Sequence, residues 1–130
     1  MKKIVISLII VFATMTVFAQ TQTNTISIVS PDSAIVYRLF STTNTWTFIK
    51  LNTRNGQMWQ VQYHTESKYR FETPLSLTTL VSIEKEKNGR FFLYPTHNMY
   101  NFILLDQIDG RVWQVQWAMK EEDRMVIPLN

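Results

Sequence analysis

Cysteine is absent from the 130-residue chain. That excludes disulfides, thiolate metal sites, a Cys nucleophile and a lipid-modified N-terminal Cys. Glycine is nearly absent too, with three residues, Gly56, Gly89 and Gly110, so a glycine-rich phosphate loop cannot be built. Histidine is limited to His64 and His97. Neither G-x-S-x-G nor H-E-x-x-H occurs, and with them go the nucleophile elbow and the zincin helix. Beyond the N-terminus no stretch carries an apolar stripe of helical period. The only long apolar run is Ile4 to Phe18.

That run follows Lys2 and Lys3, and Val17 and Ala19 stand at −3 and −1 before Gln20. A positive n-region, a short h-region and small residues before a cut describe a secretory signal. A spanning helix needs about 20 apolar residues, so an uncleaved anchor is the weaker alternative. The organisation expected is a signal peptide over 1–19, a flexible leader over 20–25 and a single β-domain over 26–130. The mature chain would be exported to the periplasm or the extracellular space, with no stable membrane insertion after cleavage. It is long enough to bury a core without staples. The sequence pI of 9.3 owes much to the expected signal peptide. Without Lys2 and Lys3, 11 basic residues face 10 acidic ones. A net charge of +1 makes no case for nucleic acid.

What the chain does contain is a repeated peptide. Trp59-Gln60-Val61-Gln62 recurs as Trp113-Gln114-Val115-Gln116, each copy shortly after a glycine, Gly56 or Gly110. The offset of 54 aligns residues 37–76 with 91–130, and fourteen of the forty pairs are identical. Four more exchange one aromatic for another: Tyr37/Phe91, Phe40/Tyr94, Trp46/Tyr100 and Tyr63/Trp117. This self-similarity predicts two tandem repeats, about 26–76 and 77–130.

Within each repeat, short β-branched and aromatic runs alternate with turn chemistry. Strands are expected at Ile26–Val29, Ala34–Phe40, Trp46–Leu51, Gln57–Tyr63, Tyr69–Thr73 and Leu77–Glu86. The second repeat adds Arg90–Tyr94, Tyr100–Leu105, Arg111–Trp117 and Met125–Leu129. Gly56 and Gly110 close hairpin loops, and Asn88-Gly89 is a two-residue hairpin signal. The expected fold is all-β: two β-meanders packed as a pseudo-two-fold sandwich or a partly closed barrel, each covering the face the other cannot bury.

Alternation places Trp59 and Val61 on one face of a strand and Gln60 and Gln62 on the other. Trp113 and Val115 stand in the same way opposite Gln114 and Gln116. Trp59, Val61, Trp113, Val115, Phe48 and Phe102 are the expected core. The four glutamines read as a solvated face, an amide ladder or a polar platform for a ligand. Gln60, Gln62, Gln114 and Gln116, joined by Trp46 and Tyr100 as stacking residues, form the candidate ligand-binding set. Asp106-x-x-Asp109-Gly110 is matched by Asn52-x-x-Asn55-Gly56, which favours turn chemistry over calcium. Asn44 and Asn98, each two residues after a threonine, read as loop caps. The two histidines are not repeat-equivalent, and the carboxylates cluster at strand ends. No catalytic residue, cofactor or metal is assigned.

The segments LNTRNGQMWQVQ and LDQIDGRVWQVQ fit L-[DN]-x-x-x-G-x-x-W-Q-V-Q. With YRLFSTTNTWTFIKL and FFLYPTHNMYNFILL, the chain resembles small exported bacterial all-β repeat proteins of unassigned activity. The hairpin alone resembles the D-x-x-T-G-x-x-W element of quinoprotein-type β-propeller blades. Asn52 departs from that pattern, as do Asn55 and Asp109 at the Thr position, and no quinone or metal binding is carried over. Two units are fewer than the four blades of the smallest propellers, so a propeller would have to be assembled from several chains. The function expected is a non-catalytic envelope β-domain that binds a protein or a glycan. A structural homo-oligomer is the alternative, and a small hydrolase-type enzyme comes third.

Overall fold

The computed structural model describes residues 34–129. The signal peptide, the leader and the Ile26–Val29 strand fall outside the described residues. Eight strands form two separate four-stranded sheets, and no α-helix occurs among the described residues. The first sheet holds β1 (Tyr37–Ser41), β2 (Thr47–Asn52), β3 (Met58–Gln62) and β4 (Phe71–Ser76). The second holds β5 (Phe91–Pro95), β6 (Asn101–Asp106), β7 (Val112–Gln116) and β8 (Met125–Pro128). Both are antiparallel meanders in chain order. The elements of the first sheet begin again 54 residues later, including the 3-10 turns Ser67–Tyr69 and Glu121–Asp123.

The hairpin loops follow turn chemistry. Gly56 N–H donates to Asn52 O at 3.0 Å and Gly110 N–H to Asp106 O at 2.8 Å. Both glycines hold positive φ, 84° and 75°, a region that costs other residues strain. Pro74 and Pro128 sit in edge strands, where a missing N–H breaks no ladder. A register shift at Met58/Trp59 accommodates the first of them.

Two expected elements are absent. Leu77–Glu86 is not a strand but the connection between the sheets, with a 3-10 turn at Ile83–Lys85. Its backbone bonds to hairpin loops instead of a neighbouring strand: Leu80 N–H donates to Asn55 O at 2.8 Å, and Arg111 donates to Leu80 O at 3.0 Å. Leu80 and Val81 thereby pack against the core. Asn88-Gly89 forms a tight turn, Arg90 N–H to Lys87 O at 3.1 Å with Gly89 at φ 77°. It leads that connection into β5 and joins no hairpin.

Among the described residues the packing is not pseudo-two-fold, and no barrel closes. A two-fold would bring equivalent faces together. The first sheet instead buries Phe40, Ile49, Leu51, Met58 and Gln60, the face that carries its glutamines. The second buries Phe91, Leu93, Phe102, Leu104, Trp113 and Val115, the face that carries its tryptophan. One apolar core that includes Trp117 forms where the unlike faces meet. Phe92, on the opposite face of the edge strand β5, also packs against it, edge-on to Phe40 at 5.0 Å.

Candidate functional site

The glutamines separate on this frame. Gln60 is fully buried. Its side chain donates to Ala118 O at 3.1 Å and accepts from Ala118 N–H at 3.2 Å, linking the two sheets. It is a core residue, and its place in the candidate ligand set is corrected accordingly. Gln62 donates to Tyr69 O at 2.8 Å and Gln116 to Asp123 O at 2.9 Å, so each fastens the 3-10 turn that follows its own strand. Gln114, on the outer face of the second sheet, donates to Asn101 Oδ1 at 2.8 Å. Gln60→Ala is expected to cost about 2–3 kcal/mol, because it strips a buried amide pair from backbone groups. Gln114→Ala should stay within about 1 kcal/mol. Urea melts compare the two, and equal losses would refute the distinction.

The aromatic residues divide in the same way. Trp113, Val115 and Phe102 lie in the core as expected. Trp59, Val61 and Phe48 are half-buried on the outer face of the first sheet, with Tyr37 and Leu39 beside them. Tyr37 meets Trp59 edge-on at 6.2 Å, and Lys50 Nζ lies 4.9 Å from the Trp59 ring. The assignment of Trp59, Val61 and Phe48 to the core therefore does not hold. Alternation placed them together on one face, but the partner sheet covers the other.

At one end of the first sheet Trp46, Tyr63, His64 and Tyr69 make an aromatic ledge. Ring centroids lie 5.2 Å apart for Trp46–Tyr63, 5.0 Å for Trp46–His64 and 4.8 Å for His64–Tyr69. Trp46, Tyr63 and Tyr69 are exposed. The preceding loop is locked from within: Asn44 N–H donates to Thr42 Oγ1 at 3.1 Å and Trp46 N–H to Asn44 Oδ1 at 2.9 Å. Thr96 and Asn98 repeat those bonds ahead of Tyr100, so both loops are caps. Tyr100 contacts Trp117 at 5.1 Å, nearly the geometry of Trp46–Tyr63. An open groove of about 310 Å³ runs beside Tyr100, Trp117 and Lys120. Trp46 and Tyr100 thus belong to two separate aromatic pairs rather than to one platform with the glutamines.

A buried ion cluster went unnoticed in the sequence. Asp106 is fully buried and accepts from Arg90 Nε at 3.0 Å, Arg90 Nη2 at 2.9 Å and Arg111 Nη2 at 3.0 Å. Arg90 also reaches Asp109 at 2.7 Å. Burial pushes the Asp106 carboxyl up, but Arg90, the N–H groups of Asp109 and Ile108, and Arg111 outweigh it and hold the pKa at about 2. All acceptor sites are filled by fixed donors, which suits a structural anchor and not a proton-transfer group. The available signal was the joint change of Val36, Asn52, Asn55 and Gln57 to Arg90, Asp106, Asp109 and Arg111.

The chain matches no family model, no curated protein and no solved structure. The chemistry must therefore be read from the side chains alone. His64 is stacked in the ledge and accepts from Glu66 N–H at 3.0 Å. His97 stands in an exposed turn. Among the described residues no three His, Asp or Glu side chains converge as metal ligands. The uncovered aromatic and aliphatic surface of the two outer sheet faces, with the ledge at one end, is the candidate functional surface.

Proposed function

We propose that this protein is a non-catalytic, exported envelope β-domain that binds a protein through its sheet faces. The observation that carries the reading is the outer face of the first sheet. There Tyr37, Leu39, Phe48, Trp59 and Val61 share one face, with Lys50 lying over the Tyr37 and Trp59 rings and paired to Glu72. A sheet face of this kind, open to water, marks an interaction surface, and Trp and Tyr are the residues that most often dominate binding. A four-stranded sheet face suits a protein better than a sugar. The sequence features of a secretory signal support export.

Cross-linking in envelope extract tests the reading. The wild-type chain should be recovered with a protein adduct that Trp59→Ser reduces at least about tenfold, the loss expected of a central aromatic anchor. A glycan array should give no signal that depends on Trp59. Adducts indifferent to Trp59→Ser, or a glycan signal abolished by it, would argue against a protein-binding face.

A further inference from the structure

Repeat equivalence identifies what the outer faces fit. Each sheet has a tryptophan face and a glutamine face. Within the chain, the glutamine face of the first sheet packs on the tryptophan face of the second. Among the described residues, two faces are then left without a covering sheet, the tryptophan face of the first sheet and the glutamine face of the second, apart from Phe92 of the latter, which packs on Phe40 and the core. The first carries Tyr37, Leu39, Phe48, Trp59 and Val61, where the buried face carries Phe91, Leu93, Phe102, Trp113 and Val115. The second carries Tyr94, Ile103, Leu105, Val112 and Gln114, where the buried face carries Phe40, Ile49, Leu51, Met58 and Gln60. The open pair therefore resembles, at most of these positions, two surfaces that already mate.

Resting on the protein-binding reading, we infer that the partner is a second copy of this chain, docked head to tail. The tryptophan face of one first sheet seats on the glutamine face of the other copy's second sheet. Exposure follows this pattern at equivalent positions. Leu93 is 0% exposed and Leu39 54%; Trp117 is 1% exposed and Tyr63 47%. The residues exposed in the first repeat are those whose equivalents the neighbouring sheet covers. The polar link has its equivalent as well. Gln60 holds the Ala118 backbone, and the corresponding pair across copies is Gln114 with the backbone of His64.

The open surfaces depart from the mated ones in two places: on the glutamine face Phe92 stands where the buried face has Arg38, and the tryptophan faces differ in charge. Leu104 and Val126 of the buried tryptophan face are Lys50 and Glu72 in the open one. These two pair with each other, and Lys50 also lies over the Tyr37 and Trp59 rings, at 5.6 Å and 4.9 Å. Their charges are already met within the face, while the cost of desolvating them keeps the contact between copies weaker than the one within the chain. A head-to-tail contact is heterologous, so repeating it closes a ring or runs on as a filament.

Two complementary variants test the inference. Leu39→Glu spoils the tryptophan face and Ile103→Glu the glutamine face. Tyr94→Glu, at an exposed position, replaces the latter if Ile103→Glu loses its circular dichroism spectrum. By light scattering over about two decades of concentration, the wild-type chain should grow in mass to a ring or filament. Each variant alone should stay monomeric. Their mixture should form a 1:1 heterodimer that grows no further, because each supplies the face the other lacks. A wild-type chain monomeric throughout overturns the inference, as does a variant that still dimerises by itself through a two-fold contact. A monomer that captures another envelope protein leaves the binding reading standing, whereas a monomer that captures none removes both.

Discussion

Trp113→Ala should lower the stability of the monomeric domain by about 3–5 kcal/mol, the range for a buried tryptophan. Trp59→Ala, the same substitution in the same tetrapeptide, should cost only about 1–2 kcal/mol, in keeping with its partial burial. Trp113 is 6% exposed, within the core, with Phe91 6.1 Å away. Its loss opens a cavity between the sheets that neighbouring strands cannot collapse to fill. Trp59 touches Tyr37 and Lys50 on a face that no other sheet among the described residues covers. Urea unfolding at low protein concentration measures both, with an unchanged m-value as the check that the unfolded state is not the cause. Equal losses would mean that both tryptophans are covered in the monomer. That outcome would contradict the unlike-face packing and, with it, the inference of self-association.

Asp106→Ala should destabilise by about 3–5 kcal/mol, because it leaves the buried Arg90 with only the half-exposed Asp109 to meet its charge. Arg90 is 4% exposed, and its Nε and Nη2 donors both point at the lost carboxylate. The first repeat shows a neutral solution to the same position. Asn52 accepts from Arg54 N–H at 3.0 Å, as Asp106 accepts from Ile108 N–H at 3.0 Å, and Val36 stands where Arg90 stands in the second repeat. The pair Asp106→Asn with Arg90→Val should therefore recover most of the loss, since a buried ion pair is often no better than an apolar replacement. A double variant no better than Asp106→Ala would place the stabilisation in Arg90's further bonds to Lys85 O and Asp109.

The same cluster sets an acid limit. Asp106 titrates at about 2 in the folded chain and near 3.9 when unfolded. A depressed folded pKa means that the unfolded state takes up the proton first as pH falls. The contribution of Asp106, about 2–3 kcal/mol, is thus complete above pH ~4 and is lost between pH ~4 and ~2. Other carboxylates titrate in that window, so the measurement is a difference. Wild type should lose that much more stability over the window than the Asp106→Asn/Arg90→Val variant.

Strand positions were legible because alternation and turn chemistry are local. Seven of the expected strands coincide with β1–β3 and β5–β8 to within a few residues, and Tyr69–Thr73 marks β4 less closely. Leu77–Glu86 was misread because its apolar residues pack on the ends of the hairpins. That role leaves the same composition as a strand without the ladder. The candidate site was legible only in part. Trp46 and Tyr100 are exposed, which residue type does not decide because repeated large aromatics suit a core equally well. Gln60 joined the core, and the Asp106 cluster appeared where turn residues were expected.

By itself the sequence determined the period-two strands, the glycine-closed hairpins and the spacing that makes one half resemble the other. Those follow from backbone geometry and from residue types within a few positions of one another. Only the tertiary structure decided which face of each sheet is inside. In this chain both faces of a strand carry apolar residues, Phe48 on one and Ile49 and Leu51 on the other, so alternation alone names two candidates for the core. The choice is made by what packs against them. In the two copies of Trp-Gln-Val-Gln it is made oppositely, burying Gln60 in the first and Trp113 and Val115 in the second.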